Sequence, residues 1–381
     1  MLYFDNAATT FPKPAAVRKA VGESFIYYGA NPGRSGHSLA MDTARKVFEC
    51  REKASEFFGL SAPENLVFTK NCTEALNIVL MSIGKEGGHF IISDLEHNSV
   101  LRPLYDMKNR GIIDFSVAET FEGEPEKTIE SYKKLIKSDT KMLVAAGASN
   151  VFGIKLPVEM LAELAHEHGI LFTLDAAQTA GSENIDMEKN GIDFVCAPGH
   201  KGLLGPMGTG MLASARPEYL KPIIFGGTGS YSLLPNQTEG LPEMLESGTL
   251  NVSGICGLSA GIDWVSKKGL DKISKNEMLL AKILYEELSK MKNVKLFTKT
   301  PQKESHAPVI SFVIGDLTGE ETAALLAENG VASRGGFHCS ALAHRKMGTE
   351  KRGTCRLSIG PMNSFDEIMK LIKIIYSLSE K

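Results

Sequence analysis

The stretch DFVCAPGHKGLLGPMGTGML, residues 193–212, decides how this chain folds and where its chemistry lies. Four apolar residues are broken by Pro198 and Gly199, and a Gly-rich segment then leads to a second apolar run. The pattern predicts a strand, a sharp turn and a strand, with Lys201 at the turn. Desolvation between buried strands favours the neutral, nucleophilic amine, so Lys201 is a candidate for a Schiff base. A solvated Gly-Lys-Gly loop would give the same local pattern.

The composition is that of an ordinary globular protein with a small-molecule ligand. The 381 residues suffice for about two domains. The formal net charge is −3 without a Lys/Arg block, which argues against a nucleic-acid partner. No apolar run approaches the roughly 18 residues that span a bilayer, and the N-terminus has no leader pattern, so we expect a cytoplasmic protein without membrane contact. Six cysteines without a CxxC pair argue against a metal site or a disulfide framework.

Short apolar runs alternate with helical patterns between residues 60 and 212. The predicted strands are 66–69, 90–93, 142–146 and 170–174. This alternation predicts an α/β fold whose mainly parallel sheet carries helices on both faces. Beyond residue 213 we expect a polar surface excursion, one long amphipathic helix over about 255–291, and a smaller α+β region. The expected division is a large domain, 14–265, and a small domain formed by 1–13 and 266–381.

Polar residues follow the predicted strands at the edge where open α/β sheets bind ligands. They are Thr73, His97, Asn150, Asp175 and the turn residues His200 and Lys201. Thr73 lies at a helix start, where free N–H groups and the helix dipole bind anions. Three of them have a structural alternative: Thr73 as a helix cap, His97 as a surface residue, and Asp175 as the cap of a turn.

The C-terminal region contains a second chemical stretch around Cys339. This cysteine lies in a Gly-rich loop with Arg334 upstream and His338 beside it, a setting expected to be electropositive and to favour the thiolate. Arg356 lies in a predicted strand that is otherwise apolar. A buried arginine requires a carboxylate, which is either that of a substrate or that of a structural ion pair.

Nine short motifs, in chain order and spanning nearly the whole sequence, are similar to those of one family. They are FDNAATT, TKNCTEALN, LEHNSV, SNVFG, LDAAQ, GHKGLLGPMGTG, ESGTLN, RGGFHCSA and CRLS. The set resembles the class V aminotransferases, a family of pyridoxal phosphate enzymes with the fold type I (aspartate aminotransferase-like) architecture. Within the family the chain looks most like the cysteine desulfurases. Its RxGxHC pattern is similar to the group II branch, which also contains selenocysteine lyases.

The resemblance implies a role for each matching residue around the cofactor. Lys201 would form the Schiff base, Asp175 would pair with the pyridine nitrogen, and Gln178 would bond the phenolic oxygen. His97 would stack on the ring and help to move protons. The phosphate would be bound by Thr73, His200 and, from a second subunit, Thr249. At two phosphate-site positions this chain departs from the family: Cys72 and Pro198 stand where Thr and Ser are usual, and Pro198 has neither a hydroxyl nor an N–H.

The resemblance also implies the reaction. Asn150, beside the cofactor, would position the substrate carboxylate together with Arg334 and Arg356. Cys339 would take the sulfur of L-cysteine as a persulfide and leave L-alanine. A homodimer and a sulfur-acceptor protein are the implied partners. The alternatives are a selenocysteine lyase, another class V transaminase or lyase in which Cys339 is a bystander, and a catalytically silent scaffold. The presence of Lys201, Asp175 and Gln178 argues against the silent scaffold.

Overall fold

The structure is a computed structural model that describes residues 1–32, 36–230 and 232–380. Its strands are β1 (Leu2–Tyr3), β2 (Leu66–Thr69), β3 (His89–Ser93), β4 (Asp114–Ala118), β5 (Thr140–Ala146), β6 (Leu171–Asp175), β7 (Phe194–Pro198), β8 (Gly210–Ser214), β9 (Val294–Leu296), β10 (Val309–Ile314), β11 (Val331–Ala332), β12 (Arg334–Gly336) and β13 (Thr354–Ser358). Its α-helices are α1 (Ala15–Tyr27), α2 (Ser38–Phe57), α3 (Cys72–Gly84), α4 (Asn98–Asn109), α5 (Pro125–Lys133), α6 (Val158–Glu167), α7 (Val252–Lys268), α8 (Leu270–Leu288), α9 (Gly319–Glu328), α10 (Ala341–Lys346) and α11 (Phe365–Ser379).

A seven-stranded sheet in the order β2-β8-β7-β6-β5-β3-β4 forms the centre of the molecule. Strands β3 to β7 run parallel, and only β8 is antiparallel to its neighbours, β2 and β7. The α/β prediction with a mainly parallel sheet is confirmed. The apolar runs of β3, β6 and β7 are buried throughout, as expected for strands covered on both faces.

Alternate side chains of these strands enter two separate hydrophobic cores because successive side chains point to opposite faces of a sheet. One core packs Leu143 and Phe172 against α2, α6 and α7. The other packs Val144 and Phe194 against α3 and α4. The carboxyl ends of β5, β6 and β7 therefore stay in register between two helical layers, with Asp175 beside Ala146 and Cys196.

A four-stranded antiparallel sheet in the order β12-β13-β10-β9 forms the C-terminal part of the chain. Its core is closed by α8, α9 and α11, and includes Phe4 of the N-terminal arm, which is completely buried. β1 pairs in parallel with β11, so the first residues lie with the C-terminal ones. The domain division at residue 265 stays a prediction. Across the described ranges, no helix combines the length and the apolar character that a membrane span requires.

The single long helix predicted over about 255–291 is wrong. The chain forms two helices, α7 and α8, separated by Gly269, whose φ is +85°. Glycine adopts this left-handed region without steric cost, and it is the commonest residue just past a helix end. The apolar periodicity continues on both sides of Gly269, which hid the break from a reading of the pattern alone.

A buried ion pair fixes the irregular segment between β8 and α7 to the large sheet. Arg51 of α2 donates hydrogen bonds of 2.7 and 2.8 Å to the two carboxylate oxygens of Glu246. The same carboxylate accepts the Phe68 N–H of β2 at 2.7 Å. Both ion-pair side chains are about 95% shielded from solvent. Removing one partner would leave a buried charge without compensation.

We expect Arg51→Met to lower the free energy of unfolding by about 3–5 kcal/mol, because Glu246 stays buried while its cation is lost. Urea unfolding followed by circular dichroism measures the loss. Lys53→Ala is the matched control, since Lys53 lies on the same helix in a solvent-exposed 2.6 Å pair with Asp263, and should cost less than about 1 kcal/mol. Equal losses for the two variants would contradict the assigned role of burial.

Candidate active site

A cleft of about 560 Å³ opens at the carboxyl ends of the central strands. Its walls include eight residues that the sequence singled out, contributed by five separate segments: Cys72, Thr73, His97, Asn150, Asp175, Gln178, His200 and Lys201. Pro198 also lines it, at the end of β7. Cys339, Arg334, Arg356 and Thr249 do not line this cleft.

Lys201 lies in the turn that follows β7, and its backbone is firmly held. Its carbonyl accepts the Thr10 hydroxyl at 3.0 Å and the Leu204 N–H at 2.8 Å. The ammonium, in contrast, makes no hydrogen bond to any described residue. Burial lowers the pKa of Lys201 to about 8, against the opposing negative charge of Asp175. This environment supports the prediction that Lys201 is a nucleophilic amine and argues against a solvated loop.

Asp175 ends β6 and is 3% exposed. One carboxylate oxygen accepts the Ala177 N–H at 2.9 Å and the Cys72 thiol at 3.5 Å. Burial raises the pKa of the Cys72 thiol well above its usual range, so the thiol keeps its proton and acts as a donor. Cys72 thus contacts the acid that the resemblance assigns to the pyridine nitrogen.

Thr73 does not cap α3, so the alternative interpretation of Thr73 as a helix cap is wrong. Asn71 is the N-cap, and its side chain accepts the Glu74 N–H at 2.9 Å. Asparagine competes well for this position because its short side chain reaches the free N–H groups. Thr73 is exposed in the first turn, so its hydroxyl remains available to a ligand in the cleft.

His97 is a fixed part of the cleft, and the surface alternative is wrong. Its ring caps α4, with Nδ1 accepting the Ser99 N–H at 3.1 Å. Burial lowers the pKa of His97, so the ring is neutral, and accepting at Nδ1 puts its proton on Nε2. The next residue, Asn98, donates its N–H to the Cys339 carbonyl at 2.8 Å, which brings the cysteine loop to the rim of the cleft.

His200 and Gln178 present free polar atoms to a ligand. His200 Nδ1 is buried without a partner among the described residues, and burial lowers the pKa of this ring to about 4. Buried polar atoms are almost always paired, so an orphaned nitrogen in a cleft indicates a ligand position. Gln178 donates one bond to the Ala7 carbonyl at 3.2 Å, and its amide has capacity for more.

Cys339 lies between β12 and α10 and is exposed, with φ of +57°. The expectation that His338 makes this loop electropositive is wrong. The His338 side chain is 4% exposed, and Nε2 donates to the Arg334 carbonyl at 3.1 Å. Burial, reinforced by the charge of Arg356, lowers the pKa of His338 to about 3. The ring is therefore neutral, and Arg334, the other cation of this stretch of sequence, is exposed.

Arg356 forms the structural ion pair that the sequence left as one of two alternatives. Its guanidinium is 1% exposed and donates to Asp5 at 2.7 Å and to the Asn150 carbonyl at 2.9 Å. Arg334 stands opposite Arg356 in the β12–β13 ladder. The roles of both arginines toward a substrate carboxylate stay predictions. Thr249 is exposed just before α7, and its role across a subunit interface also stays a prediction.

Sequence reasoning missed two features that support the cleft. The N-terminal arm binds the lysine turn, with Lys13 Nζ donating to the His200 carbonyl at 2.6 Å. Glu96 is fully buried, accepts the Ser93 hydroxyl and the Ala146 N–H, and has its pKa raised to about 8 by burial. The signal available for Glu96 was its position next to His97, shortly after a buried strand.

We expect Lys201 to be modified by formaldehyde and cyanoborohydride with a midpoint near pH 8, since below its pKa of about 8 it is an unreactive ammonium and above it a free amine. A lysine free in water has a pKa of about 10.4, so a fully solvated amine should react later. Peptide mass mapping across a pH series measures this. Lys13 provides the internal comparison: burial lowers its pKa to about 8 as well, but two hydrogen bonds hold its ammonium, so it should react more slowly. A Lys201 profile that follows the surface lysines would refute the assignment.

Comparison with known proteins agrees with this geometry. A probable cysteine desulfurase from Methanothermobacter thermautotrophicus is 33% identical over 97% of this chain and 92% of its own length. One from Pyrococcus abyssi is 32% identical over 99% of this chain and 94% of its own. The apo structure of a cysteine desulfurase from Thermococcus onnurineus superimposes with a TM-score of 0.92 at 32% identity, over all of this chain and 94% of that one. An Escherichia coli cysteine desulfurase gives 0.87 at 26% identity, over 100% of this chain and 94% of that one. The family model for aminotransferase class-V matches residues 2–371. The chain therefore belongs to the class V aminotransferase family.

Proposed function

We propose that this chain is a pyridoxal phosphate-dependent cysteine desulfurase that takes sulfur from L-cysteine onto Cys339 and releases L-alanine. The observation that carries the proposal is the position of Cys339: an exposed thiol whose backbone is bonded to the residue next to His97, at the rim of a cleft that Lys201 lines. The relatives named cysteine desulfurase support the same reaction.

The cleft suits pyridoxal phosphate, the cofactor of the class V family. Its lining combines the Asp175 carboxylate with Thr73 at the start of α3 and with the orphaned His200 nitrogen. A carboxylate matches the pyridine nitrogen, and free N–H groups at a helix start match a phosphate. Lys201 would hold the cofactor covalently. When bound, the cofactor supplies an electron sink for bond cleavage next to the substrate amine.

The protein's own groups would perform the proton transfers. Lys201 Nζ, with a pKa near 8 and no hydrogen-bond partner among the described residues, can take a proton from the substrate and return it. His97 Nε2 is the second proton-carrying atom in the cleft, because Nδ1 is occupied by the Ser99 N–H. The Cys72 thiol donates to Asp175 and helps to keep that acid as an acceptor facing the cleft.

Cys339 would accept the sulfur. Its thiolate attacks the substrate sulfur, so that an S–S bond forms as the C–S bond of cysteine breaks. Arg334 would assist by attracting the substrate carboxylate. Pro198 offers no hydrogen bond, so the phosphate would rely more on Thr73, His200 and the partner subunit than is usual in the family. The persulfide on Cys339 then requires an external acceptor.

We expect Cys339→Ala to abolish alanine release from L-cysteine while the cofactor absorbance is retained, because Cys339 lies outside the cleft wall that would bind the cofactor. Alanine and sulfide release are assayed, and the persulfide of the parent is trapped by alkylation and located by mass mapping. Cys50→Ala is the control, since burial raises the pKa of that thiol to about 12 and it should be silent.

Selenocysteine serves as the second substrate in this experiment. Some activity on selenocysteine is expected to survive in Cys339→Ala, since a selenol leaves with less assistance than a thiol. If the variant releases alanine from L-cysteine at the parent rate and no persulfide is trapped, Cys339 is a bystander and a class V transaminase or lyase replaces the proposed function.

We also propose that the enzyme is a homodimer, in which Thr249 of one subunit completes the phosphate site of the other. Large apolar side chains at the surface support a second copy: Phe25 and Ile26 of α1 are 72% and 73% exposed, and Met207 is 72% exposed. A Cβ at Gly257 of α7 would lie 2.7 Å from atoms of both Val21 and Pro206. Helix α1, the loop that contains Pro206 and Met207, and the start of α7 therefore lie close together. Such patches on a folded surface mark association sites.

We expect Ile26→Asp to shift the protein from dimer to monomer in light scattering, because it places a charge within the apolar surface. Cofactor retention should fall with dissociation, since Thr249 would no longer be supplied. Leu279→Asp is the matched control, because Leu279 is likewise an exposed apolar residue, at 57%, but lies on α8. A parent protein that is monomeric at assay concentration, yet fully active, would contradict the proposal.

A further inference from the structure

Ser340 occupies the N-cap position of α10 but does not cap the helix. Serine is among the preferred N-cap residues because its hydroxyl usually accepts a free N–H of the first turn. Here the hydroxyl instead donates to the Asn150 side-chain oxygen at 2.5 Å. Ser364, at the N-cap of α11, shows the ordinary behaviour, with a complete capping box to Glu367. The Ser340 hydroxyl is thus used for a contact outside its own helix.

Asn150 holds both residues that flank Cys339. Its side-chain oxygen accepts from Ser340, and its amide nitrogen donates to the His338 carbonyl at 2.7 Å. Asn150 follows β5 of the central sheet and lines the cleft, whereas Ser340 and His338 belong to the loop between β12 and α10. Ser340 is completely buried, so its hydroxyl depends on a partner within the protein.

The loop requires such restraint because of its backbone conformation. His338 and Cys339 have φ values of +50° and +57°, a left-handed region that non-glycine residues disfavour. Two successive residues keep this conformation only where surrounding contacts over-determine it. Besides the Asn150 bonds, those contacts include the Asn98 N–H to the Cys339 carbonyl at 2.8 Å, the Ser340 N–H to the Phe337 carbonyl at 3.0 Å and the His338 Nε2 to the Arg334 carbonyl at 3.1 Å.

We propose that Ser340 is a positioning residue for Cys339: its bond to Asn150 clamps the left-handed loop to the cleft wall and fixes the direction of the thiol. The inference rests on the proposed function in taking Cys339 as the sulfur acceptor. The clamp couples the nucleophile to the residue placed beside cofactor and substrate, so both are held in one geometry.

Ser340→Ala tests the clamp, with Ser364→Ala as the matched control. Ser340→Ala removes a buried hydrogen bond but no helix cap, so the melting temperature should fall by no more than it does in Ser364→Ala. Hydrogen exchange of the cofactor-free protein should accelerate about fivefold at the Asn98 and Ser340 amides, as the loss of one typical buried hydrogen bond predicts. In the loaded enzyme, kcat for alanine release should fall by a similar factor while cofactor affinity is unchanged.

Ser364→Ala should lower the melting temperature because a true cap is lost, but it should leave exchange at the Cys339 loop unchanged. Unchanged loop exchange in Ser340→Ala, or faster exchange with kcat at the parent value, would overturn the proposal. The hydrogen exchange also separates the two proposals: if the parent forms no alanine from L-cysteine, the proposed function fails, and the exchange result still decides whether Ser340 clamps the loop.

Discussion

The geometry of the site depends on one buried guanidinium. Arg356 of β13 is shielded from water and divides its hydrogen bonds between the Asp5 carboxylate of the N-terminal arm and the Asn150 carbonyl of the segment after β5. An unpaired charge at this depth would cost several kcal/mol, so the three segments are stable only when they meet. The interaction therefore fixes the arm, the central sheet and the C-terminal sheet relative to the cleft. Asn150, held by its carbonyl, can then hold the Cys339 loop by its side chain.

Desolvation sets the protonation states within the cleft. Burial lowers the pKa values of Lys201, His97 and His200, so both histidines are neutral and the lysine loses its proton far more easily than one in water. The cleft thus combines an available amine, a neutral proton carrier and an unpaired ring nitrogen around one carboxylate. Such an arrangement suits a ligand that brings its own negative charge. The N-terminal arm is bonded to the lysine turn. Water at the turn would reverse the lowering of these pKa values.

The six thiols, all within the described ranges, differ sharply in environment. Five are buried, and burial raises the pKa of Cys50 and Cys355 to about 12 and holds the pKa of Cys72 and Cys196 well above its usual range. Only Cys339 is exposed. Sulfur chemistry is thereby confined to one position, and the Cys72 thiol is left as a hydrogen-bond donor to Asp175. The loop that exposes Cys339 has a left-handed backbone, and its contacts with Asn98 and Asn150 hold that backbone in place.

The sequence by itself determined the sheet, the edge at which the site forms, and six cleft residues that follow its strands, whereas Cys72 and Gln178 were implied by the resemblance to the class V family. It could do so because strand periodicity is local and because parallel strands end at a common edge. The tertiary structure alone decided which partner each group has. Asp5 and Arg356 are 351 residues apart, and no local pattern shows that they meet. The neutral state of His338, the capping of α3 by Asn71, and the diversion of the Ser340 hydroxyl to Asn150 all depend on burial and on contacts between distant segments. The break at Gly269 depends on a backbone angle that apolar spacing does not report.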